Sequence, residues 1–316
     1  MQNNTLTEQI DATYSLTGIS PSIIEKDYYI TRLLNKIARV NDNYFKLVFA
    51  GGTSLAKAYR LTQRMSEDID FKLITLVETL STKKQRIAFS DFRKKIIAEL
   101  DNTEFTCHPQ PTEGRNTHVK IHVDYPAIYP KDKNIRDFIL LELTISQNKL
   151  PIQEFFINSI IDESLKLNEI LHDCKIECLN SEETAAEKWV ALTRRAAYAM
   201  RFPEKKEDEK NALVRHVYDL YVISQQIKLS DNFFHLVQSI MHEDKKKYKS
   251  QHPEYYSHPV DEINYSIQSL HQKDFKDYYE NFLESMVYGE SAPSYAHALG
   301  LIEKISMQVI DLLQNL

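Results

Sequence analysis

The sequence predicts an α/β protein whose strands are confined to its N-terminal half and whose C-terminal half is helical. Three observations carry this expectation. Short apolar runs and period-2 alternation, the marks of strands, occur between residues 47 and 145. Helical periodicity then dominates from residue 182 to residue 315. Only 6 of the 316 residues are glycine, which suits long helices better than a succession of tight turns. With 42% hydrophobic and 27% charged residues the chain has an ordinary globular composition, and its length accommodates two modest domains.

Taken in order, Ser20-Pro21 opens a helix with Ile23, Ile24, Tyr28, Ile30, Leu33, Leu34 and Ile37 on one face. The apolar run Leu47-Val48-Phe49-Ala50 reads as a buried strand stopped by Gly51-Gly52. Thr53 or Ser54 can cap a short helix carrying Leu55, Ala58 and Leu61. A second strand spans Ile69 to Ile74, an amphipathic helix covers 83–100, and strand-like runs follow at 118–125 and 138–145. Strand signals fade from Gln153 onward, and helical patterns cover 182–201, 210–227, 231–248, 262–287 and 292–315. The charge-dense stretch Pro203 to Lys210 reads as an exposed loop. No internal repeat or low-complexity segment is present.

Several function classes are excluded or made unattractive. No apolar run approaches the roughly 20 residues of a membrane-crossing helix, and the polar N-terminus lacks the shape of a signal peptide. Cys107, Cys174 and Cys178 form neither a disulfide framework nor a paired metal motif, which fits a reducing cytoplasm. Cys174 and Cys178 can share a helix face, but two ligands do not make a zinc site, and they read as buried thiols. A net charge of −6 argues against a protein coated in basic charge while leaving room for a local nucleic-acid-binding patch.

The chemistry concentrates between the first two strands. A strand that ends in Gly-Gly and enters a helix leaves backbone N–H groups facing outward, suited to an anion. Glycine there lets a phosphate approach without a Cβ in the way, and Ser54 can add a hydroxyl donor. Asp68 and Asp70 follow Gly52 by 16 and 18 positions. With a period of 2 along a strand, their carboxylates share a face. Such a pair repels itself unless a cation lies between, and Mg²⁺ prefers hard oxygen ligands that it can share with a triphosphate. A phosphate cradle beside an acid pair is the minimum equipment for phosphoryl chemistry.

The runs Phe49-Ala50-Gly51-Gly52-Thr53-Ser54-Leu55-Ala56-Lys57 and Arg64-Met65-Ser66-Glu67-Asp68-Ile69-Asp70-Phe71 resemble the AbiEii/AbiGii toxin family, which includes the MenT toxins. The stretch Ile24-Glu25-Lys26-Asp27-Tyr28-Tyr29 resembles that family's N-terminal helix. Ala186 to Leu192 with Arg195, and Arg215-His216-Val217-Tyr218-Asp219-Leu220-Tyr221, resemble its later landmarks. These appear in family order from about residue 24 to 221, and the remaining helical third carries no matching motif. The resemblance implies an α/β (α+β) polymerase-β-like nucleotidyltransferase core with a mixed sheet over 1–175. A helical domain over 176–316 then completes the nucleotide site. It also implies Mg²⁺-dependent, NTP-dependent toxicity, in several members by nucleotide addition to tRNA acceptor ends, and a cognate antitoxin.

Under that resemblance Gly52, Thr53 and Ser54 hold the triphosphate, and Asp68 and Asp70 carry the metals. In a two-metal displacement one ion activates the attacking hydroxyl and the other steadies the leaving pyrophosphate. A third carboxylate is expected, with Glu142 the first candidate because an acid amid so apolar a strand needs a cation or a polar cleft. Asp124 is its competitor. Lys188 and Arg195, seven positions apart on one helix face, can both reach phosphates, and the match implies that Lys188 contacts the nucleotide. Arg215 and Asp219 are four apart and can pair along a helix; the resemblance makes Asp219 an active-site residue that orders Lys188 or the nucleotide. His216 stands where family members often have an acid. Lys57 can bind phosphate or cover the helix surface.

Other features are weaker. His108, His118 and His122 lack further ligands for a metal. Lys245-Lys246-Lys247-Tyr248-Lys249, with Tyr255-Tyr256 close behind, can hold RNA by phosphate contact and stacking, or can be a solvated helix end. The 18 tyrosines are spread out and suit packing with a polar tip. Three functions follow: a toxin-like nucleotidyltransferase acting on RNA, an enzyme moving a nucleotide to a protein or small molecule, or a non-catalytic nucleotide- or antitoxin-binding protein.

Overall fold

The computed structural model describes residues 2–77, 80–114, 116–130, 135–167, 175–202, 206–227, 229, 231–289 and 292–315. The chain divides into two compact units, one made of Met1–Arg60 with Met65–Asn180, the other of Leu61–Arg64 with Ser181–Leu316.

In the first unit the described strands are β1 (Phe45–Ala50), β2 (Asp68–Thr75), β3 (Thr106–Pro109), β4 (His118–Asp124), β5 (Ile139–Ile145), β6 (Gln153–Phe156) and β7 (Lys175–Cys178). They form one sheet in the order β3-β4-β5-β2-β1-β7-β6. The sheet is mixed: β2 runs parallel to β5 and β1 parallel to β7, while the other neighbours are antiparallel. The α/β class with a mixed sheet is therefore as the sequence predicts. Two strands were not foreseen beyond residue 153. Both β6 and β7 are only four residues long, and β6 lies at the sheet edge, too short for a run of apolar residues to mark it. The expected boundary at 175/176 would cut β7 after its first residue. Its pairing with β1 and β6 keeps the chain in the first unit to Asn180. Cys178 accordingly lies buried on a strand and not on a helix, and Cys174 falls outside the described residues.

Strand alternation gives the sheet two unlike faces. Phe49, Ile69, Phe71, Val119, Ile121, Leu141 and Leu143 are buried on one face. Phe45 on this same side of β1 meets Phe92 of α4 (Thr82–Asp101). The opposite face carries Asp68, Asp70, Glu142, His118 and Lys120, beside a small apolar cluster of Val48, Ala50 and Leu179.

Helix α1 (Gln2–Thr17) packs on α2 (Pro21–Ile37) and on α5 (Ile160–Ser164). The consecutive charges Glu25, Lys26 and Asp27 of α2 each bind a different part of the unit. Glu25 accepts the N–H groups of Ile128 and Tyr129. Lys26, fully buried, pairs with Glu67 at 2.7 Å and donates to the Arg136 carbonyl at 2.8 Å. Asp27 accepts the Ile160 N–H at the start of α5 and pairs with Lys57 at 2.6 Å. Removing one member of a buried pair leaves the other charge uncompensated, a loss of about 3–5 kcal/mol. Lys26→Met is expected to lower the unfolding free energy on that scale in urea titrations. Lys26→Met/Glu67→Leu should recover much of it, and a double variant as unstable as the single one would contradict this account.

The second unit is built from α6 (Ser181–Arg201), α7 (Lys206–Gln226), α8 (Asp231–Tyr248), α9 (Pro253–Ser257), α10 (Pro259–Leu270), α11 (Lys273–Met286) and α12 (Tyr295–Gln314). Helix α6 packs against α7, α8 and α10, and α12 closes over α7, α8, α10 and α11. The expected single helix over 262–287 breaks between α10 and α11, where Gln272 takes an extended backbone as the N-cap of α11. Tyrosines fill this interior with their hydroxyls satisfied: Tyr255 meets Thr193 at 2.6 Å, Tyr279 donates to the Pro293 carbonyl, and Tyr295 to that of Leu270. From Lys206 onward the charge-dense stretch is helix and not loop. Residues 203–205 lie outside the described residues, but α7 begins at Lys206, and Lys210 is buried over Tyr278 with its ammonium on Asp274. The segment 61–64 joins this unit through Arg64, which bridges Val287, and Gln63, whose carbonyl accepts the Tyr288 N–H. Among the described residues no helix is long and apolar enough to cross a membrane.

Candidate active site

The acid face is centred on β2. Asp68 and Asp70 alternate with the buried Ile69 and Phe71, so both project from the same side of the sheet. Glu142 on β5 is the direct cross-strand partner of Asp70. Asp124, its competitor, lies at the exposed end of β4 and pairs with His108 at 3.0 Å. Glu142 is flanked by Lys120 at 3.9 Å and His118 at 3.5 Å. Burial lifts the Glu142 carboxyl above its ordinary range; Lys120 pulls it back, and the charge of Asp68 pushes it further up. Three hard-oxygen donors on one face are the chemistry that a divalent cation takes. Among the described residues no three His, Cys, Asp or Glu side chains already close on a single metal position. His118 bonds to Thr144, and His122 stacks on Phe138.

The Gly-Gly bend is locked to this face. Gly51 has φ +74°, and a Cβ there would lie 2.0 Å from Asp70 Oδ2. Helix α3 (Gly51–Lys57) starts from Ala50 with no side-chain cap, so Thr53 and Ser54 are not the expected caps. Both lie inside the first turns and are buried. The Thr53 hydroxyl lies 2.9 Å from Ser66 Oγ and also bonds to the Asp68 carbonyl, fixing the start of β2. Ser54 donates to the Gly51 carbonyl at 2.9 Å. Gly52 is half-buried at the bend. Lys57 is neither a surface residue nor placed for phosphate. Its buried ammonium meets Asp27, Thr31 Oγ1 at 2.7 Å and the Asn158 carbonyl at 3.2 Å, which occupies all three of its donors.

One cation was not anticipated here. Arg136, from the segment leading into β5, places its guanidinium on Asp68 Oδ1. Its main chain is held by the buried Lys26–Glu67 pair. Nothing in the local sequence of residues 135–138 marks it, since the contact spans 68 positions.

In the second unit Asp219 has no exposure and gathers two cations. Arg64 grips it with both forks, Nε to Oδ1 and Nη2 to Oδ2, each at 2.7 Å, and Lys188 reaches Oδ2 at 2.9 Å. Burial alone would raise this carboxyl, but Arg64 and Lys188 overcome it and hold it well below the ordinary range. Asp219 is thus ion-paired with both Lys188 and Arg64. The bidentate partner Arg64 was not assigned a role from sequence, although it opens the motif that contains Asp68. His216 lies beside these cations. Burial together with the Lys188 and Arg195 charges holds it well below the imidazole range, and its Nδ1 makes no hydrogen bond. Arg195 thereby belongs to the same positive environment as Lys188.

The aromatic pair beside the basic run is not available for stacking. Tyr255 and Tyr256 are buried, their hydroxyls on Thr193 and Asp244. Lys245, Lys246 and Lys247 occupy the last turn of α8, where positive charge complements the helix dipole.

Among curated proteins none matches the sequence. A solved structure, MenT4, a nucleotidyltransferase toxin from Mycobacterium tuberculosis H37Rv, aligns over 95% of this chain and 98% of its own at 13% identity and a TM-score of 0.41. The family model described as "Nucleotidyl transferase AbiEii toxin, Type IV TA system" matches residues 32–300, which include β1 to β7, the acid face, Lys188 and Asp219. With most of its length matched, the chain belongs to the AbiEii family of nucleotidyltransferase toxins.

Proposed function

We propose that this nucleotidyltransferase uses Mg²⁺ to transfer a nucleoside monophosphate from an NTP to the end of an RNA, with tRNA as the acceptor. The observation that carries the metal requirement is the carboxylate face: Asp68 and Asp70 two apart on β2, with Glu142 directly across from Asp70. Those three residues would hold the ion, which when bound neutralises the triphosphate and sharpens the acceptor hydroxyl as a nucleophile. The Gly51-Gly52 bend abuts Asp70, so the phosphates are read on backbone N–H groups of Gly52, Thr53 and Ser54. The Thr53 and Ser54 hydroxyls are committed to the Asp68 and Gly51 carbonyls. Lys188, oriented by Asp219, and Arg195 supply positive charge for the nucleotide. The proposal of tRNA rests on the family resemblance, as does a cognate antitoxin; a cytoplasmic setting rests on the cysteine pattern.

The test is incubation with Mg²⁺, total tRNA and each labelled NTP in turn. Label is expected on tRNA, falling about 100-fold or more in Asp70→Ala, the scale of losing one group that stabilises the transition state. Label on protein or on a small acceptor instead would overturn the RNA reading. Transfer to tRNA that persists in Asp70→Ala would overturn the role of the acid face.

A further inference from the structure

Arg136 makes a second demand on the acid face. Its guanidinium lies on Asp68 and feels Glu67 and Glu142 as well, so a fixed cation already sits among the carboxylates proposed to bind metal. Its backbone cannot drift: the N–H is bound to Glu67 Oε2 at 2.6 Å and the carbonyl to Lys26 at 2.8 Å, with Lys26 and Glu67 themselves buried and paired. The side chain, by contrast, is 37% exposed.

A divalent cation and a guanidinium compete for the Asp68 carboxylate, whose Oδ1 Arg136 holds. The winner at that carboxylate leaves the other seeking a new anion. An arginine with an anchored backbone and a partly exposed side chain is matched to a phosphate, which it can bind through two parallel N–H donors. We propose that Arg136 is the resident counter-cation of the acid face, yielding Asp68 to the divalent ion and turning its guanidinium to the triphosphate. This inference rests on the metal role proposed for Asp68, Asp70 and Glu142. A purely structural salt bridge predicts something different: its loss would lower stability and leave metal binding unchanged or weaker.

The experiment titrates full-length protein with Mn²⁺ alone, following free ion by electron paramagnetic resonance, and then measures NTP binding at saturating Mn²⁺. Arg136→Gln is expected to bind Mn²⁺ about 10-fold more tightly than wild type and NTP about 10-fold more weakly. Arg136→Lys keeps the charge without the fork, and should leave Mn²⁺ affinity near wild type while still weakening NTP. Thermal unfolding of each variant identifies misfolding, which the buried backbone anchors make unexpected. Unchanged or weaker Mn²⁺ binding in Arg136→Gln, with wild-type binding that disappears in Asp68→Ala, overturns the counter-cation and leaves the metal reading standing. Mn²⁺ binding unaffected by Asp68→Ala and Asp70→Ala overturns both.

Discussion

Asp219→Ala is expected to lower the unfolding free energy by about 3–5 kcal/mol, because it strands two buried cations at once. Asp219 has no exposure, Arg64 retains 3% and Lys188 9%, so solvent cannot replace the lost carboxylate. Arg64→Met should cost less, since the remaining Asp219 and Lys188 still neutralise each other. Urea unfolding of the two variants tests this order, and an Arg64→Met protein less stable than Asp219→Ala would contradict it. The pH dependence has a definite sign. A carboxyl held below its unfolded value contributes stability that is complete above the unfolded pKa and lost as pH falls toward the folded one. The Asp219 contribution should therefore be flat from about pH 5 to 8 and decline only below about pH 4. A wild-type minus Asp219→Asn stability difference that changes between pH 6 and 8 would exclude this assignment.

The second large effect is at Gly51. An alanine there must accept φ +74°, which costs about 1–2 kcal/mol, and its Cβ would collide with Asp70 Oδ2 and Cγ. Displacing a packed side chain adds about 1–3 kcal/mol, so Gly51→Ala is expected to lose roughly 2–5 kcal/mol and to move Asp70 off the acid face. The collision is specific to one partner. Gly51→Ala/Asp70→Ala should therefore lose less than the two single variants summed, by about 1 kcal/mol or more. Additive losses in chemical denaturation would show that the backbone angle alone accounts for the glycine.

The parts of the site that could be read from sequence are those governed by local geometry. Asp68 and Asp70 share a face because any strand alternates, and Glu142 announced itself as an acid inside an apolar run. The roles missed belong to long-range pairs. Arg64 finds Asp219 across 155 positions and Arg136 finds Asp68 across 68, and no periodicity encodes such a meeting. Lys57 shows the same blind spot from the other side. Its place one turn past Gly-Gly suggested phosphate or solvent, and only the folded chain reveals Asp27 waiting for it. In the fold, the central strands and most long helices were legible, whereas α1 was not, and β3, β6 and β7, four residues each, were too short to stand out. Lys210 misled because dense charge resembles a loop until a helix buries one of its lysines against aromatic rings.

The crossing of residues 61–64 into the second unit has a consequence for how the molecule is made. Arg64 leaves the ribosome long before Asp219, and β1 and α3 precede it while β2 follows it. The helical unit therefore cannot complete its charged centre until a segment embedded in the other unit's sequence is delivered to it. A fragment beginning at Ser181 would carry Asp219 and Lys188 without their bidentate partner, and one ending at Asn180 would carry an arginine without its carboxylate. Such wide sequence separation slows folding and favours late consolidation. The two halves are thus expected to express poorly when separated, and to regain solubility best when both are supplied together.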